Sequence, residues 1–288
     1  MSETAKAPRG VGVLGGGRMG AGIAHAFLLA GSHVSVVERD AASADAALAR
    51  VSDSIRRSVE RDPSLQETEI IGRLSAGRDI AAFTDVDLVI EAVPEDRELK
   101  EQALARAEAA MPAHATLASN TSSISIDDLA ANRVHPELFL GLHFFNPVPA
   151  SALVEIVHGT ATDAAVTDLA GRWVTSLGKT PIVVRDSPGF ASSRLGVMLG
   201  LEAIRMLEEG VASAADIDAA MTLGYRHPMG PLRTTDIVGL DVRLGIAEEL
   251  ERALGARFAP PDLLRRMVAE GRLGRKSGEG FYAWNEER

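Results

Sequence analysis

The chain contains no cysteine among its 288 residues, and this absence excludes disulfides, cysteine–zinc sites and thiolate catalysis. Lysine is also scarce, since only four of the 30 basic residues are lysine. The net charge is -10 and the pI is near 5.2. This balance argues against nonspecific binding to nucleic acid or to an anionic membrane, although a local arginine cluster can still bind a phosphate-bearing substrate.

Long apolar runs are missing as well. No stretch is long enough to span a bilayer, and the start, "MSETAKAPRG", has no apolar core of the signal-peptide type. The chain is nevertheless 46% hydrophobic and 24% charged, which is enough for a globular core. The histidines at positions 114, 135 and 158 lack the spacing of a metal site. We therefore expect a soluble cytoplasmic protein that needs no metal and binds neither nucleic acid nor membrane.

Strand-like and helix-like segments alternate over the first two thirds of the chain, from "GVGVLGGG" to "PIVVRD" at 181–186. Such alternation is typical of a parallel sheet with helices on both faces. After "DSPGF" the pattern is helical with almost no strand signal. The sequence therefore predicts an α/β domain at 1–186 and an all-helical C-terminal domain at 187–288.

A glycine-rich segment, "GVGVLGGGRMGAG", joins the first predicted strand to the first helix. Gly15 permits a tight turn, Gly17 lets the backbone approach a pyrophosphate, and Gly20 allows close helix–strand packing. The N-terminus of the helix then offers N–H groups and a positive dipole end to the phosphates. The predicted cofactor contacts are Gly15, Gly16, Gly17, Arg18, Met19 and Gly20. The alternative is a glycine-rich turn that binds no ligand.

The second strand ends in "VVER", which places Glu38 18 residues after Gly20. A carboxylate there would hold the adenosine ribose hydroxyls and repel a 2′-phosphate, so it favours NAD over NADP. Arg39, next to it, could attract that phosphate, and a solvated strand end is the third possibility.

The segment "GLHFFNPVPASALVEIV", 141–157, places His143 and Glu155 in two apolar runs of strand length. A buried carboxylate needs a partner, and the proline-rich turn can bring the two strands side by side. A carboxylate on one imidazole nitrogen fixes the tautomer and raises the basicity of the other. The pair is either a general base with its orienting partner or a structural ion pair.

Ser122 lies in "ASNTSSIS", 118–125, directly after another predicted strand. Ligands bind at the carboxyl ends of strands in open parallel sheets, so its hydroxyl is a candidate ligand contact. The alternative role of this segment is helix capping, in which Ser123 or Ser125 would cap the helix and leave Ser122 to the ligand.

Several longer motifs resemble the L-3-hydroxyacyl-CoA dehydrogenases, including their short-chain 3-hydroxybutyryl-CoA type. They are "GGGRMGAGIA", "DLVIEAVPED", "ASNTSS", "GLHFFNPVP…LVEI", "DSPGF", "HPMGPL…TDIVGLD" and "GRKSGEGFY". The resemblance covers nearly the whole chain. It implies a Rossmann-like domain followed by a helical domain through which the protein forms a homodimer. It also implies reversible, NAD-dependent oxidation of a short-chain L-3-hydroxyacyl-CoA to the 3-ketoacyl-CoA.

The resemblance assigns roles to individual residues. His143 takes the proton of the 3-hydroxyl, Glu155 orients and stabilises His143, and Ser122 contacts the substrate oxygen near the nicotinamide. Further cofactor contacts match Glu95, Lys100, Asn146 and Lys276. Ser54 and Arg61 align with the CoA contacts, and Arg50, Arg57 and Arg61 fall on one helical face that is either a phosphate patch or merely solvated. Ser193 stands where the family usually has an asparagine before an arginine, which affects contacts on the substrate side.

Three other functions are alternatives to the 3-hydroxyacyl-CoA dehydrogenase. A dehydrogenase of a free hydroxy acid or sugar acid uses the same fold, and a crystallin-like protein would bind the cofactor without turnover. A nucleotide-sensing regulator would need a partner-binding or DNA-reading module, which the sequence does not contain.

Overall fold

The computed structural model describes residues 6–284, and these form two compact units, one ending at Asp186 and the other beginning at Ser187. The first unit is built on an eight-stranded sheet. Its strands are β1 (Gly10–Leu14), β2 (His33–Val37), β3 (Leu74–Gly77), β4 (Leu88–Glu91), β5 (Thr116–Ser119), β6 (Phe139–Phe144), β7 (Leu153–His158) and β8 (Thr180–Arg185). Their spatial order is β3-β2-β1-β4-β5-β6-β7-β8, with every neighbouring pair parallel except β6 and β7.

The helices of this unit separate the strands along the chain. They are α1 (Arg18–Leu29), α2 (Ala41–Arg61), α3 (Glu67–Ile71), α4 (Arg97–Ala110), α5 (Ile126–Ala130) and α6 (Ala164–Ser176), with short 3-10 helices at Ile80–Phe83 and Pro136–Leu138. Strands β1, β4, β5 and β6 are buried along their whole length, the pattern expected when both faces of a parallel sheet are covered. This arrangement confirms the predicted Rossmann-like α/β fold.

Helix α2 illustrates how the sequence positions the elements around the sheet. Asp40 caps its N-terminus by accepting a hydrogen bond from the Ser43 N–H at 2.7 Å. Its buried residues recur every three or four positions, at Ala44, Ala47, Val51, Ile55 and Ser58. The opposite face is polar, so one stripe of the helix packs on the core while the arginines stay outside.

One strand was not anticipated. β3 consists of only four residues, "LSAG", none of them buried, so it has neither an apolar run nor a regular alternation that would mark it. It forms the edge of the sheet and pairs in parallel with β2.

The second unit is helical, as predicted. Its helices are α7 (Ser192–Glu208), α8 (Ala214–Ala219), α9 (Pro231–Val238), α10 (Leu240–Leu254) and α11 (Asp262–Ala269), with a π-helical turn at Ala220–Gly224 and 3-10 helices at Ala256–Phe258 and Arg275–Ser277. Across residues 6–284 no helix is both long enough and apolar enough to cross a membrane.

Two buried carboxylates join the segments of the helical unit. Asp236 accepts hydrogen bonds from the backbone N–H groups of Phe281 and Tyr282, both at 2.9 Å, and from the Trp284 indole at 2.7 Å. Asp218 accepts from the N–H of Leu232 at 2.8 Å and from the Tyr282 hydroxyl at 2.8 Å. Asp236, the first aspartate of "TDIVGLD", therefore binds the "GFY" segment near the end of the described chain.

Candidate active site

A cavity of about 1030 Å³ opens at the carboxyl ends of β1, β2, β4, β5 and β6. Ligands of open α/β sheets bind at this edge, where the strand order reverses on either side of β1. The volume lies at the upper end of the range for small-molecule sites, as a dinucleotide requires. The wall includes these predicted site residues: Gly15, Gly17, Arg18, Met19, Glu38, Glu95, Lys100, Ser122, His143 and Asn146.

The glycine loop forms one end of this cavity. Gly15 has a φ of +96°, which favours glycine, and a Cβ on Gly20 would lie 1.8 Å from the Gly15 carbonyl oxygen. A Cβ on Gly17 would meet nothing within 4 Å, so the space beside the loop is open. Gly17 is the N-cap residue of α1 and offers no side-chain cap. The first N–H groups of α1 are therefore suited to bind the phosphates of a dinucleotide.

Glu38 stands at the end of β2 in the wall of the cavity. Its Oε1 accepts a hydrogen bond from the Gly16 N–H at 2.6 Å, while the Arg50 guanidinium donates to the Gly16 carbonyl at 3.2 Å. Both backbone polar groups of Gly16 are thus hydrogen-bonded. The exposed Arg39 side chain pairs with Asp40 at 3.1 Å. A carboxylate fixed at this point suits the ribose hydroxyls of NAD.

His143 and Glu155 are direct partners in the antiparallel pairing of β6 and β7. The His143 Nδ1 lies 2.6 Å from the Glu155 Oε2, and the two residues are only 6% and 0% exposed. The predicted turn therefore brings them together. Because the carboxylate accepts a hydrogen bond from Nδ1–H, proton exchange with a substrate falls to Nε2. The ring also packs against Phe145, with 4.4 Å between the ring centres.

Ser122 lies on the loop after β5, and Glu95 holds that loop. The Glu95 Oε1 accepts hydrogen bonds from the Thr121 hydroxyl at 2.6 Å, the Ser122 N–H at 2.9 Å and the Ser123 N–H at 3.1 Å. Burial acts to raise the pKa of Glu95, but the ion pair with Lys100 and these hydrogen bonds outweigh it and hold that pKa below its usual value. Ser125, not Ser123, caps α5.

Two polar residues of this region make structural contacts that the sequence did not predict. Glu91 ends β4 with no exposure and accepts from the Lys100 ammonium at 2.8 Å. Asn120, at the end of β5, accepts from the Phe144 N–H at 2.9 Å through its Oδ1 and so joins the ends of β5 and β6. Glu91 had a visible signal, a carboxylate inside the apolar run "LVIEAV", the same signal that marks Glu155.

Comparison with known proteins agrees with this geometry. Residues 10–187 match the model of the 3-hydroxyacyl-CoA dehydrogenase NAD binding domain, and residues 189–284 match that of the 3-hydroxyacyl-CoA dehydrogenase C-terminal domain. The chain belongs to the 3-hydroxyacyl-CoA dehydrogenase family. It is an NAD-dependent oxidoreductase of that family, which confirms the predicted enzyme class and cofactor.

Individual members of the 3-hydroxyacyl-CoA dehydrogenase family match over nearly their whole length. A 3-hydroxybutyryl-CoA dehydrogenase of Bradyrhizobium diazoefficiens is 41% identical, with 94% of each chain covered. A probable 3-hydroxybutyryl-CoA dehydrogenase of Deinococcus radiodurans is 40% identical, with 95% of this chain and 99% of that protein covered. The crystal structure of (S)-3-hydroxybutyryl-CoA dehydrogenase from Ralstonia eutropha superposes with a TM-score of 0.93 at 37% identity, covering 97% of this chain and 100% of that one.

The residues aligned with the family's CoA contacts lie outside the wall of this cavity, farther along α2. The Ser54 hydroxyl accepts from the Arg57 guanidinium at 3.2 Å, and the Arg61 Nε donates to the Arg57 carbonyl at 3.0 Å. Arg50, although on the same helical face by sequence, turns to the glycine loop. The three arginines are therefore divided between two environments, and only Arg57 and Arg61 belong to the surface around Ser54.

Two predicted residues lie in the helical unit. Ser193 is in the first turn of α7, and Lys276 donates to the Asp241 carboxylate at 2.6 Å. Between residues 6 and 284, no group of three or more histidine, aspartate or glutamate side chains is arranged to hold a metal ion.

Proposed function

We propose that this 3-hydroxyacyl-CoA dehydrogenase oxidises short-chain L-3-hydroxyacyl-CoA reversibly, with 3-hydroxybutyryl-CoA as its substrate. The observation that carries the proposal is the buried His143–Glu155 pair, whose His143 lines the same cavity as the glycine loop. The names of the relatives at about 40% identity support the acyl chain length.

The chemistry divides into a hydride transfer and a proton transfer. Bound NAD supplies the acceptor for the hydride that leaves C3 of the substrate. His143 accepts the proton of the 3-hydroxyl at Nε2, and Glu155 stabilises the resulting imidazolium through Nδ1. The Ser122 hydroxyl, which donates to the Glu95 Oε1 at 3.3 Å in the structure, is assigned the contact with the substrate oxygen and so fixes C3. In the reverse direction His143 returns the proton to the ketone oxygen.

The cofactor is assigned to the cavity at the strand ends. The loop from Gly15 to Gly20 takes the diphosphate, and Glu38 accepts from the ribose hydroxyls. The second ribose and the nicotinamide are assigned to Glu95, Lys100 and Asn146, and Lys276 is assigned as a further cofactor contact. Residues 1–186 thereby serve as the NAD-binding domain.

The acyl-CoA is assigned to Ser54 and Arg61, with the guanidinium facing a CoA phosphate. Ser193 is assigned to the acyl end of the substrate. Residues 187–288 then serve substrate binding and dimerisation, and the working form is a cytoplasmic homodimer. Molar mass measured by light scattering over a range of protein concentrations tests the dimer.

A rate assay of NADH formation tests the proposed substrate. The panel contains L-3-hydroxyacyl-CoAs of increasing chain length together with free 3-hydroxybutyrate. We expect the highest kcat/KM with 3-hydroxybutyryl-CoA and negligible rate with the free acid. A preference for the free acid would establish the hydroxy-acid alternative. Tight NADH binding without turnover of any member would establish the crystallin-like one.

A further inference from the structure

We propose that Glu91 and Lys100 are positioning residues, a buried ion pair that fixes Glu95 and, through it, the Ser122 loop. The inference rests on the proposed function, in which Ser122 contacts the substrate. In this role neither Glu91 nor Lys100 touches the substrate.

A closed ring of polar contacts joins the ends of β4 and β5 to α4. Glu91 and Ser119 are register partners of these strands, and the Ser119 hydroxyl donates to the Glu91 Oε2 at 2.5 Å. The Ser119 hydroxyl in turn accepts from the Thr121 N–H at 3.2 Å, and the Thr121 hydroxyl donates to Glu95 at 2.6 Å. Lys100 lies between Glu91 and Glu95, at 2.8 Å and 3.2 Å, and closes the ring.

Three protein oxygens surround the Lys100 ammonium. Besides the two carboxylates it donates to the Val93 carbonyl at 3.2 Å, and its side chain is only 1% exposed. An ammonium has three protons to donate, and three protein oxygens surround this one. Lys100 therefore acts on the Ser122 loop through the carboxylate that it holds.

Glu95 connects the Glu91–Lys100 pair to the Ser122 loop. It is the common acceptor for Thr121, Ser122 and Ser123, so its carboxylate determines where the Ser122 hydroxyl lies. Glu91 matters because it shares the Lys100 ammonium with Glu95, so its removal leaves Glu95 with a larger share of that charge. Without Glu91, Lys100 would draw the Glu95 carboxylate toward itself through Oε2, and the loop donors bound to Oε1 would move with it.

The molecule offers a matched control pair. Arg133 and Glu108 are likewise buried, 2% and 9% exposed at their side chains, and their charged atoms lie 3.6 Å apart. Neither residue lines the cavity. Removal of this pair tests what the loss of a buried ion pair does to the enzyme when the Ser122 loop is not involved.

The test uses the full-length enzyme and the double variant Glu91→Gln/Lys100→Met, because replacing both members of a buried pair preserves folding better than leaving one charge alone. We expect kcat at saturating NAD to fall by about tenfold, the equivalent of one lost hydrogen bond, with the KM for the acyl-CoA within about threefold. In a Ser122→Ala background the same change should cost less than about twofold, because the positioned hydroxyl is gone. Glu108→Gln/Arg133→Met should retain kcat within about twofold.

Amide hydrogen exchange of residues 121–124, measured without substrate, provides a second readout. Exchange should accelerate in Glu91→Gln/Lys100→Met and in the single variant Glu91→Gln, but not in the control pair. The proposal is overturned by unchanged exchange, by an equal loss of kcat with and without Ser122, or by an equal loss in the control. If the wild-type enzyme turns over no 3-hydroxyacyl-CoA, the proposed function fails, while the exchange experiment still decides whether the pair holds the loop.

Discussion

The two units of this chain bury their carboxylates with different kinds of partner. In the sheet unit, Glu91 and Glu155 face side chains that can carry a charge, Lys100 and His143. In the helical unit, Asp218 and Asp236 face backbone N–H groups and the neutral donors of Tyr282 and Trp284. A carboxylate whose partners are fixed neutral donors exchanges no proton with them and serves to stabilise the fold. One that faces a titratable ring can stabilise a proton that moves, which is what catalysis requires.

Tyr282 is one of the neutral donors to buried carboxylates in the helical unit, and its hydroxyl keeps its proton. Burial raises the pKa of its hydroxyl, and the hydrogen bond to Asp218 raises it further, while the nearby Arg233 opposes both. The hydroxyl therefore stays protonated at neutral pH and donates to Asp218 as a structural hydrogen bond.

The largest effect on kcat is expected when the sheet unit loses its general base. His143→Gln removes the general base and should lower kcat by at least about a hundredfold, with NADH binding nearly unchanged. The measurement is NADH formation from 3-hydroxybutyryl-CoA together with an NADH titration. His135→Gln, at a half-exposed histidine that pairs with Glu137, is the matched control and should retain full activity. A kcat within about threefold of wild type would remove His143 from the mechanism.

A large effect on stability is expected in the helical unit. Asp236→Asn replaces one carboxylate oxygen by an amide that faces N–H donors and should lower the free energy of unfolding by about 3 kcal/mol. Urea unfolding monitored by circular dichroism measures it. Asp262→Asn, at the start of α11, is the control and should change stability by less than about 1 kcal/mol. If Asp236→Asn is as stable as wild type, the contrast between the two units does not hold.

His25 is a third case, a buried histidine in the sheet unit that contacts no carboxylate among the described residues. Its Nε2 lies 2.9 Å from the Ser58 hydroxyl. Burial lowers the pKa of His25 from 6.5 to about 4, helped by the charges of Arg61, Lys179 and Arg57. Because the folded-state pKa is depressed, the unfolded chain binds the proton first as pH falls. Stability is therefore complete above about pH 6.5 and is lost progressively down to about pH 4.

The expected loss from this single group is roughly 2.5 kcal/mol between pH 7 and pH 4.5. His25→Gln removes the titration, so the variant should lose that much less stability over the same interval. Urea unfolding of both proteins at the two pH values measures the difference. Equal losses for wild type and variant would show that His25 takes its proton in the folded state as readily as in the unfolded one.

Much of this site could be predicted from the sequence because its signals are local. The glycine loop, Glu38 and the His143–Glu155 pair each lie within one strand–turn–strand or strand–loop–helix segment. Glu91 and Ser119 were not predicted as partners, because their contact depends on the register between β4 and β5, which lie far apart in the sequence. The roles of Asp218 and Asp236 were hidden for the same reason, since each binds a segment tens of residues away.

The smallest effect concerns Ser193, where the chain departs from the family's asparagine. A serine keeps one donor and one acceptor but reaches less far, so a water can bridge to the substrate, and the freed volume can admit a bulkier acyl group. Ser193→Asn should therefore tighten selection for short linear substrates and cost larger ones about 1–2 kcal/mol more in kcat/KM. Ser193→Ala, which leaves the volume but removes the hydroxyl, separates size from hydrogen bonding. The measurement is kcat/KM over a panel of 3-hydroxyacyl-CoAs for the wild type and both variants. Three coincident profiles would mean that Ser193 does not contact the acyl group, and that selectivity is set elsewhere.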